Sequence, residues 1–393
     1  MNQRPYQRLP TSSLWALALA GCLAAPLHAA PISPKHDDEV IEVLPAIAGG
    51  RAEDRQMRRR LAQEPRNAAL ALAVAARYLD RARESGDPRF AGMAMSAIAA
   101  WTDDATIPDG VLLMRATLQQ YLHEFDAAVE NLQRLVARPA NQPRAQAWLT
   151  LATVRRVQGR YADSDAACQQ VARAGATLPA QACLAENAAL RGEVNSARAV
   201  FTTLLAAAGK PATTQAWLYT SLAELEQRAG NASAAESAFK AALRIDADPY
   251  TTLAYADFLI EQKRPAQALS LLKEQTRTDP VLLRLAIAGT QANAASATVD
   301  VAEMRERIAL ANERPDAKVF HGREQAMFAL TIDRDARLSL DLARGNVARQ
   351  REPLDLLVLT QAARASGDPA ALQEAKKLTG EMGLVDQRIR ALQ

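Results

Sequence analysis

Aromatic side chains are scarce. They supply 5% of the 393 residues, although hydrophobic residues as a whole reach 49%, so alanine and leucine carry the apolar content. That excludes a large aromatic core and disfavours a β-sandwich; it suits helices that approach closely through small side chains. Four His and three Cys leave little material for a metal cluster. Charge of one sign is missing too: 47 Lys plus Arg face 44 Asp plus Glu, a formal net charge of +3. A dedicated nucleic-acid binder needs a more basic surface than that, so no nucleic-acid partner is expected. Alternating strand patterns are absent, as are a Gly-rich phosphate loop, a nucleophile elbow, a paired-His zinc helix and a calcium loop. The chain therefore reads as all-α, not an enzyme, and without cofactor or metal.

What is present begins with the first thirty residues. Arg4 and Arg8 precede the apolar run Leu14-Trp15-Ala16-Leu17-Ala18-Leu19-Ala20, and small residues follow at Ala29-Ala30. A basic start, a short apolar stretch and a small-residue cleavage point are what an export signal requires, so 1–30 is expected to be removed. Removal takes Arg4 and Arg8 away and lowers the net charge from +3 to +1. Leu19-Ala20-Gly21-Cys22 also resembles a bacterial lipobox, which makes Cys22 a candidate lipidation site and a membrane-anchored lipoprotein the alternative to a free periplasmic protein. Plain cleavage is favoured, because the stretch after Cys22 stays apolar where a tether should be polar. No transmembrane span is expected in the mature chain. Residues 31–50 hold Pro31, Pro34, Pro45 and Gly49-Gly50 around His36-Asp37-Asp38-Glu39, a solvated flexible linker rather than a cation site.

From residue 51 to 393 one pattern recurs: an apolar helix, a turn, and a second helix opening on a small residue. Those small residues fall at Ala91, Ala128, Ser164, Ala197, Ala235, Ala268, Ala302, Ala336 and Ala371, 33 to 38 residues apart. The best-formed unit has Trp148, Leu151 and Ala152, then Gly159-Arg160-Tyr161, then Ser164, Cys168 and Val171. Gly192 with Ala197 and Phe201, and Gly230 with Ala235 and Phe239, repeat parts of it. The pattern weakens over 281–315, where Gly289 interrupts a first helix and the second is charged. Pro249, Pro280, Pro315 and Pro353 lie between units, where proline can open a helix but not extend one. Ser85-Gly86-Asp87-Pro88 returns as Ser366-Gly367-Asp368-Pro369. These residues resemble the tetratricopeptide repeat. The resemblance implies an α-solenoid, a right-handed superhelix of stacked helix-turn-helix units, in which each pair hides its apolar stripes only by stacking on its neighbours.

In that repeat frame Cys168 and Cys183 sit on adjoining helices of consecutive units. A disulfide is expected, with two buried thiols as the alternative. The resemblance also implies that first helices line a concave surface. Glu186, Glu224 and Asp257 occupy equivalent places on it in three consecutive units, and Trp217 and Tyr250 in two. The expectation is a continuous, solvated acidic strip flanked by aromatics, suited to a partner segment with basic and apolar side chains. The Lys and Asn pattern with which chaperone-binding members grip a peptide carboxylate is missing. His123, His321, the pair Asp103-Asp104 and the basic group Arg55, Arg58, Arg59 and Arg60 read as surface or capping residues. The function implied is a protein-binding scaffold of the periplasm or envelope, its partners envelope proteins. The alternative is an accessory subunit that guides a surface polysaccharide, with Trp217 and Tyr250 as stacking platforms.

Overall fold

The computed structural model describes His36 and residues 52–101, 106–139, 144–313 and 322–393. The export signal with Cys22, the linker apart from His36, Asp103-Asp104, Pro315 and His321 lie outside the described residues. The chain divides into two compact units, Met1–Arg55 and Gln56–Gln393. The first contributes His36 and the opening of α1 (Ala52–Gln63), and the second holds the array.

Helices follow one another in pairs. They are α2 (Ala68–Ser85) with α3 (Pro88–Ala97), α4 (Asp109–Tyr121) with α5 (Phe125–Val136), and α6 (Ala145–Val157) with α7 (Tyr161–Arg173). Next come α8 (Thr177–Leu190) with α9 (Val194–Ala206), α10 (Ala212–Arg228) with α11 (Ala232–Ile245), and α12 (Pro249–Glu261) with α13 (Pro265–Leu272). The last are α14 (Asp279–Ala292) with α15 (Ala297–Asn312), α16 (Gly322–Phe328) with α17 (Ala336–Val347), and α18 (Pro353–Ser366) with α19 (Pro369–Met382), after which comes the short α20 (Gln387–Arg390). Pro249 and Pro353 open their helices and Pro280 stands second in its own, where the missing N–H costs nothing. No strand occurs among the described residues.

One turn is used over and over. Every pair breaks at a residue with positive φ: Gly86, His123, Gly159, Gly192, Gly230, Lys263, Asn293, Arg334 and Gly367. In six pairs the next residue donates its N–H to the carbonyl five positions back, at 2.8 to 3.0 Å, as in Arg160 to Arg155 and Glu193 to Ala188. This is the Schellman closure, which satisfies carbonyls the helix end would leave bare. Glycine accepts it freely; His123, Lys263, Asn293 and Arg334 each carry a left-handed cost of about 1 kcal/mol. The repeated Ser-Gly-Asp-Pro segments fold alike. Asp87 and Asp368 each accept from the backbone N–H two residues on, at 2.9 Å, and Gly86 and Gly367 share φ 68°.

The small residues sit where helices cross. Ala91, Ala128, Ser164, Ala197, Ala235, Ala268 and Ala371 are buried, and Phe201 and Phe239 fill the space four residues later. Two positions differ from the expectation. Ala302 is exposed, and Ala336 is only half-buried at the start of α17. In that pair Ser339 takes the crossing: its Oγ donates to the Ala326 carbonyl at 2.8 Å, as Ser164 Oγ donates to Ala152. A π-turn at Ala329–Asp333 lengthens the first helix and shifts the register by three residues.

First helices touch the first helices of the neighbouring pairs all along the array, so they line one surface. The array then closes on itself. Val385 N–H donates to the Leu190 carbonyl and Arg351 N–H to that of Val157, at 2.8 and 2.7 Å. Tyr161 and Leu190 join the apolar cluster of the C-terminal helices, with Leu340, Leu356, Leu359 and Ile389. The C-terminal segment runs across the row of turns. A Cβ on Gly159 would meet Met382 at 2.7 Å and one on Gly192 would meet Val385 at 3.0 Å, so glycine there serves close approach as well as turn geometry.

Candidate functional site

The inner surface encloses a groove of about 700 Å³, walled by first helices from α6 through α16 and closed off by the start of α18 and by α20. Glu186 (α8), Trp217 and Glu224 (α10), and Tyr250 and Asp257 (α12) all line it, as the repeat frame implies. Of the aromatic side chains in the groove Tyr250 is the most open, 58% exposed, while Trp217 is half-buried against the cluster of Phe201 and Leu218.

The solvated acidic strip is not what these carboxylates form. Glu186 pairs with Arg156 and accepts from Ser221 Oγ at 2.7 Å. Asp257 takes Arg284 in a two-pronged grip, at 2.9 and 2.7 Å. Glu224 accepts from the Tyr250 hydroxyl at 2.5 Å, and Arg228 Nη1 stands 4.0 Å away. Each acid is thus tied within the wall rather than left in water. The physical reason is crowding: a concave surface shared by successive helices leaves little solvent per charge, and buried carboxylates are retained when paired. Burial pushes the Glu224 carboxyl above its usual range despite Arg228, and the Glu224 carboxylate that accepts its proton holds the Tyr250 phenol well above its own.

Five groove arginines escaped the sequence reading: Arg156, Arg228, Arg284, Arg323 and Arg388. One carried a signal. Arg284 interrupts Val281-Leu282-Leu283-Arg284-Leu285-Ala286-Ile287, and a lone arginine in such a run must find a carboxylate in the interior. It is 4% exposed. Arg323 binds Glu352 and Asp355, the two acids that cap α18 reciprocally. Among the described residues the lining sets eight acids, Glu186, Glu224, Asp246, Asp248, Asp257, Glu261, Glu324 and Glu352, against five arginines, an excess of three acidic side chains.

Apart from Arg156 Nη1, which has its ion pair with Glu186, two donors in this wall lack an acceptor among the described residues, Arg228 Nε and the Tyr161 hydroxyl. The Arg228 side chain is 10% exposed and Tyr161 3%. Burial, the largest influence on it, pushes the Tyr161 phenol up to about 12. Unmet buried donors cost about 1–3 kcal/mol each, and a ligand oxygen would recover that.

Cys168 on α7 and Cys183 on α8 lie with Cα atoms 5.9 Å apart and sulfurs at bonding distance, 1.96 Å. His123 occupies a left-handed turn position, its ring beside that of Phe125. Among the described residues no group of three His, Cys, Asp or Glu could hold a metal, and no helix is long and apolar enough to cross a membrane.

No protein-family model matches the chain, and no curated protein matches it in sequence. Among solved structures, it is similar to a Rap protein complexed with competence and sporulation factor, at 12% identity and a TM-score of 0.49, over 86% of this chain and 92% of that one. It is similar to the APC/C hetero-tetramer Cut9-Hcn1 at 13% identity and a TM-score of 0.43, over 84% of this chain and 60% of that one. A third is the P58(IPK) TPR domain, at 13% identity and a TM-score of 0.20, over 84% and 93%. Within the chain itself, the helix pairs, their left-handed turns 30 to 41 residues apart and the shared row of first helices make this an α-solenoid of stacked helix-turn-helix units, the architecture that the tetratricopeptide resemblance implies.

Proposed function

We propose that the protein is a non-enzymatic scaffold that takes an extended segment of a protein partner into its concave groove. One observation carries the reading. The exposed Tyr250 ring stands in a groove whose lining has an excess of three acidic side chains, which suits a segment bearing basic and apolar side chains. Arg228 Nε and the Tyr161 hydroxyl supply donors for that segment's carbonyl oxygens. Internal pairing keeps the walls preorganised, so binding does not have to order long charged side chains first.

The test is affinity capture from solubilised envelopes with wild type, Tyr250→Ala and Trp217→Ala. Tyr250→Ala should lose partner recovery at unchanged melting temperature. Full recovery by both variants would move the binding surface off the groove.

Residues 1–30 support export, and with it a periplasmic or lipid-anchored scaffold serving envelope proteins. Intact-mass analysis of protein from an envelope fraction decides this. A mature start between Cys22 and Pro31 is expected, and a diacylglycerol mass on Cys22 selects the anchored form. A chain still beginning at Met1 contradicts export.

A further inference from the structure

Glu261 closes α12, and its carboxylate is held from two sides: Arg388 Nη1 donates at 2.9 Å and Gln227 Nε2 at 2.6 Å. The same three side chains line a second cavity of about 310 Å³, on whose other walls stand Phe258, Lys263, Leu357 and Leu392. Gln227, Glu261 and Arg388 are therefore common to this cavity and to the groove. A hydrogen-bonded bridge of three side chains separates the two spaces.

Arg388 reaches Glu261 from the C-terminal segment, whose turn preceding α20 is tied to the array by the bond from Val385 to Leu190. Its guanidinium has a second anchor. Asp386, which is buried, takes Arg388 at 2.6 Å through Nη2 and at 3.0 Å through Nε. Losing Glu261 would thus leave Arg388 still paired. Losing Arg388 would leave the half-buried Glu261 carboxylate with a neutral amide alone, and only another charged donor restores it.

We infer that Glu261 with Gln227 is a subsite for an arginine side chain of the bound segment, and that Arg388 is the internal guanidinium that occupies it in the free protein. Exchange of one guanidinium for another keeps the charge count at Glu261 constant. It also opens the bridge, so that the groove and the second cavity become one passage for an extended chain. The inference rests on the reading of the groove as a site for a basic segment.

The experiment uses a fluorescent hexa-arginine peptide as probe, with anisotropy measured at low salt on the full chain. Arg388→Gln removes the internal competitor. If the subsite is closed about nine-tenths of the time, this variant binds about tenfold more tightly than wild type. Arg388→Gln combined with Glu261→Gln should lose that gain. Should Arg388→Gln fold poorly, Arg388→Lys, which keeps a cation for Asp386, tests the same competition through its weaker single-point grip. Equal affinity of wild type and a folded Arg388 variant overturns the internal-occupant claim and leaves the groove reading standing. Gain in Arg388→Gln that survives Glu261→Gln overturns the subsite. Hexa-arginine binding that is untouched by Tyr250→Ala, or absent from every variant, overturns both this inference and the basic-segment reading.

Discussion

The backbone N–H of Val385 donates to the carbonyl of Leu190 at 2.8 Å, joining the C-terminal segment to the end of α8. It is one of the long-range contacts that hold the array closed, with Arg351 to Val157, and it depends on the bare turn beside it. Gly192 combines φ 87° with Val385 lying where its Cβ would be. Gly192→Ala should therefore cost more than the 1–2 kcal/mol of left-handed strain alone, because the segment must also shift. Gly175→Ala is the control: its φ is 85°, with nothing within 4 Å of a Cβ. Urea unfolding of both variants checks the difference, and equal losses would show that the segment yields without cost.

The Asp257–Arg284 pair sits in the groove wall with Arg284 almost wholly buried. Asp257→Asn leaves that guanidinium without its counter-charge, and the expected loss is about 3–5 kcal/mol. Glu186→Gln should cost less, since Ser221 can still donate to the remaining oxygen and Arg156 is less deeply buried. Thermal melts of the two variants decide whether these acids serve the fold. A loss below 0.5 kcal/mol for Asp257→Asn would return them to the solvated strip that the repeat frame suggested.

Glu236 gives the pH dependence. The Arg264 guanidinium, helped by Lys240, holds its carboxyl down from 4.5 to about 2. A depressed carboxylate contributes stability above its unfolded value, and that stability is lost as pH falls through the folded one. The contribution should be complete above pH 4.5 and disappear towards pH 2. Glu236→Gln should flatten the melting temperature over that window and leave the neutral-pH slope unchanged. Identical acid profiles for variant and wild type would contradict the assignment.

Cys168 and Cys183 close a short loop between consecutive pairs, 15 residues apart in sequence. Denatured, unreduced protein should show no free thiol at either position, and reduction should lower stability by ~3 kcal/mol in the chain-entropy model. Quantitative alkylation without reductant rules the bridge out.

The repeat was legible in the sequence because its cause is local. Small residues at helix crossings, proline at helix starts and Gly at left-handed turns each leave a mark at fixed spacing. Where a turn uses His123, Lys263 or Arg334, the mark vanishes while the geometry persists. The shift from Ala336 to Ser339 was hidden for a similar reason, since a π-turn changes register without changing composition. The groove positions of Glu186, Trp217, Glu224, Tyr250 and Asp257 followed from the repeat frame. Their pairing did not, because Arg156 and Arg284 reach Glu186 and Asp257 sideways from the first helices of neighbouring pairs, a contact that leaves no mark along the sequence. Arg284 alone announced itself, by standing in an apolar run.

If the partner binds in the groove, its chain lies against Tyr250. A photoreactive phenylalanine analogue placed at Tyr250, in the groove, and separately at Thr202, exposed on the second helix α9, tests it directly in an envelope fraction. Groove binding gives a discrete protein adduct from position 250, suppressed by excess hexa-arginine peptide, and none from position 202. An adduct from position 202 with none from position 250 would contradict it.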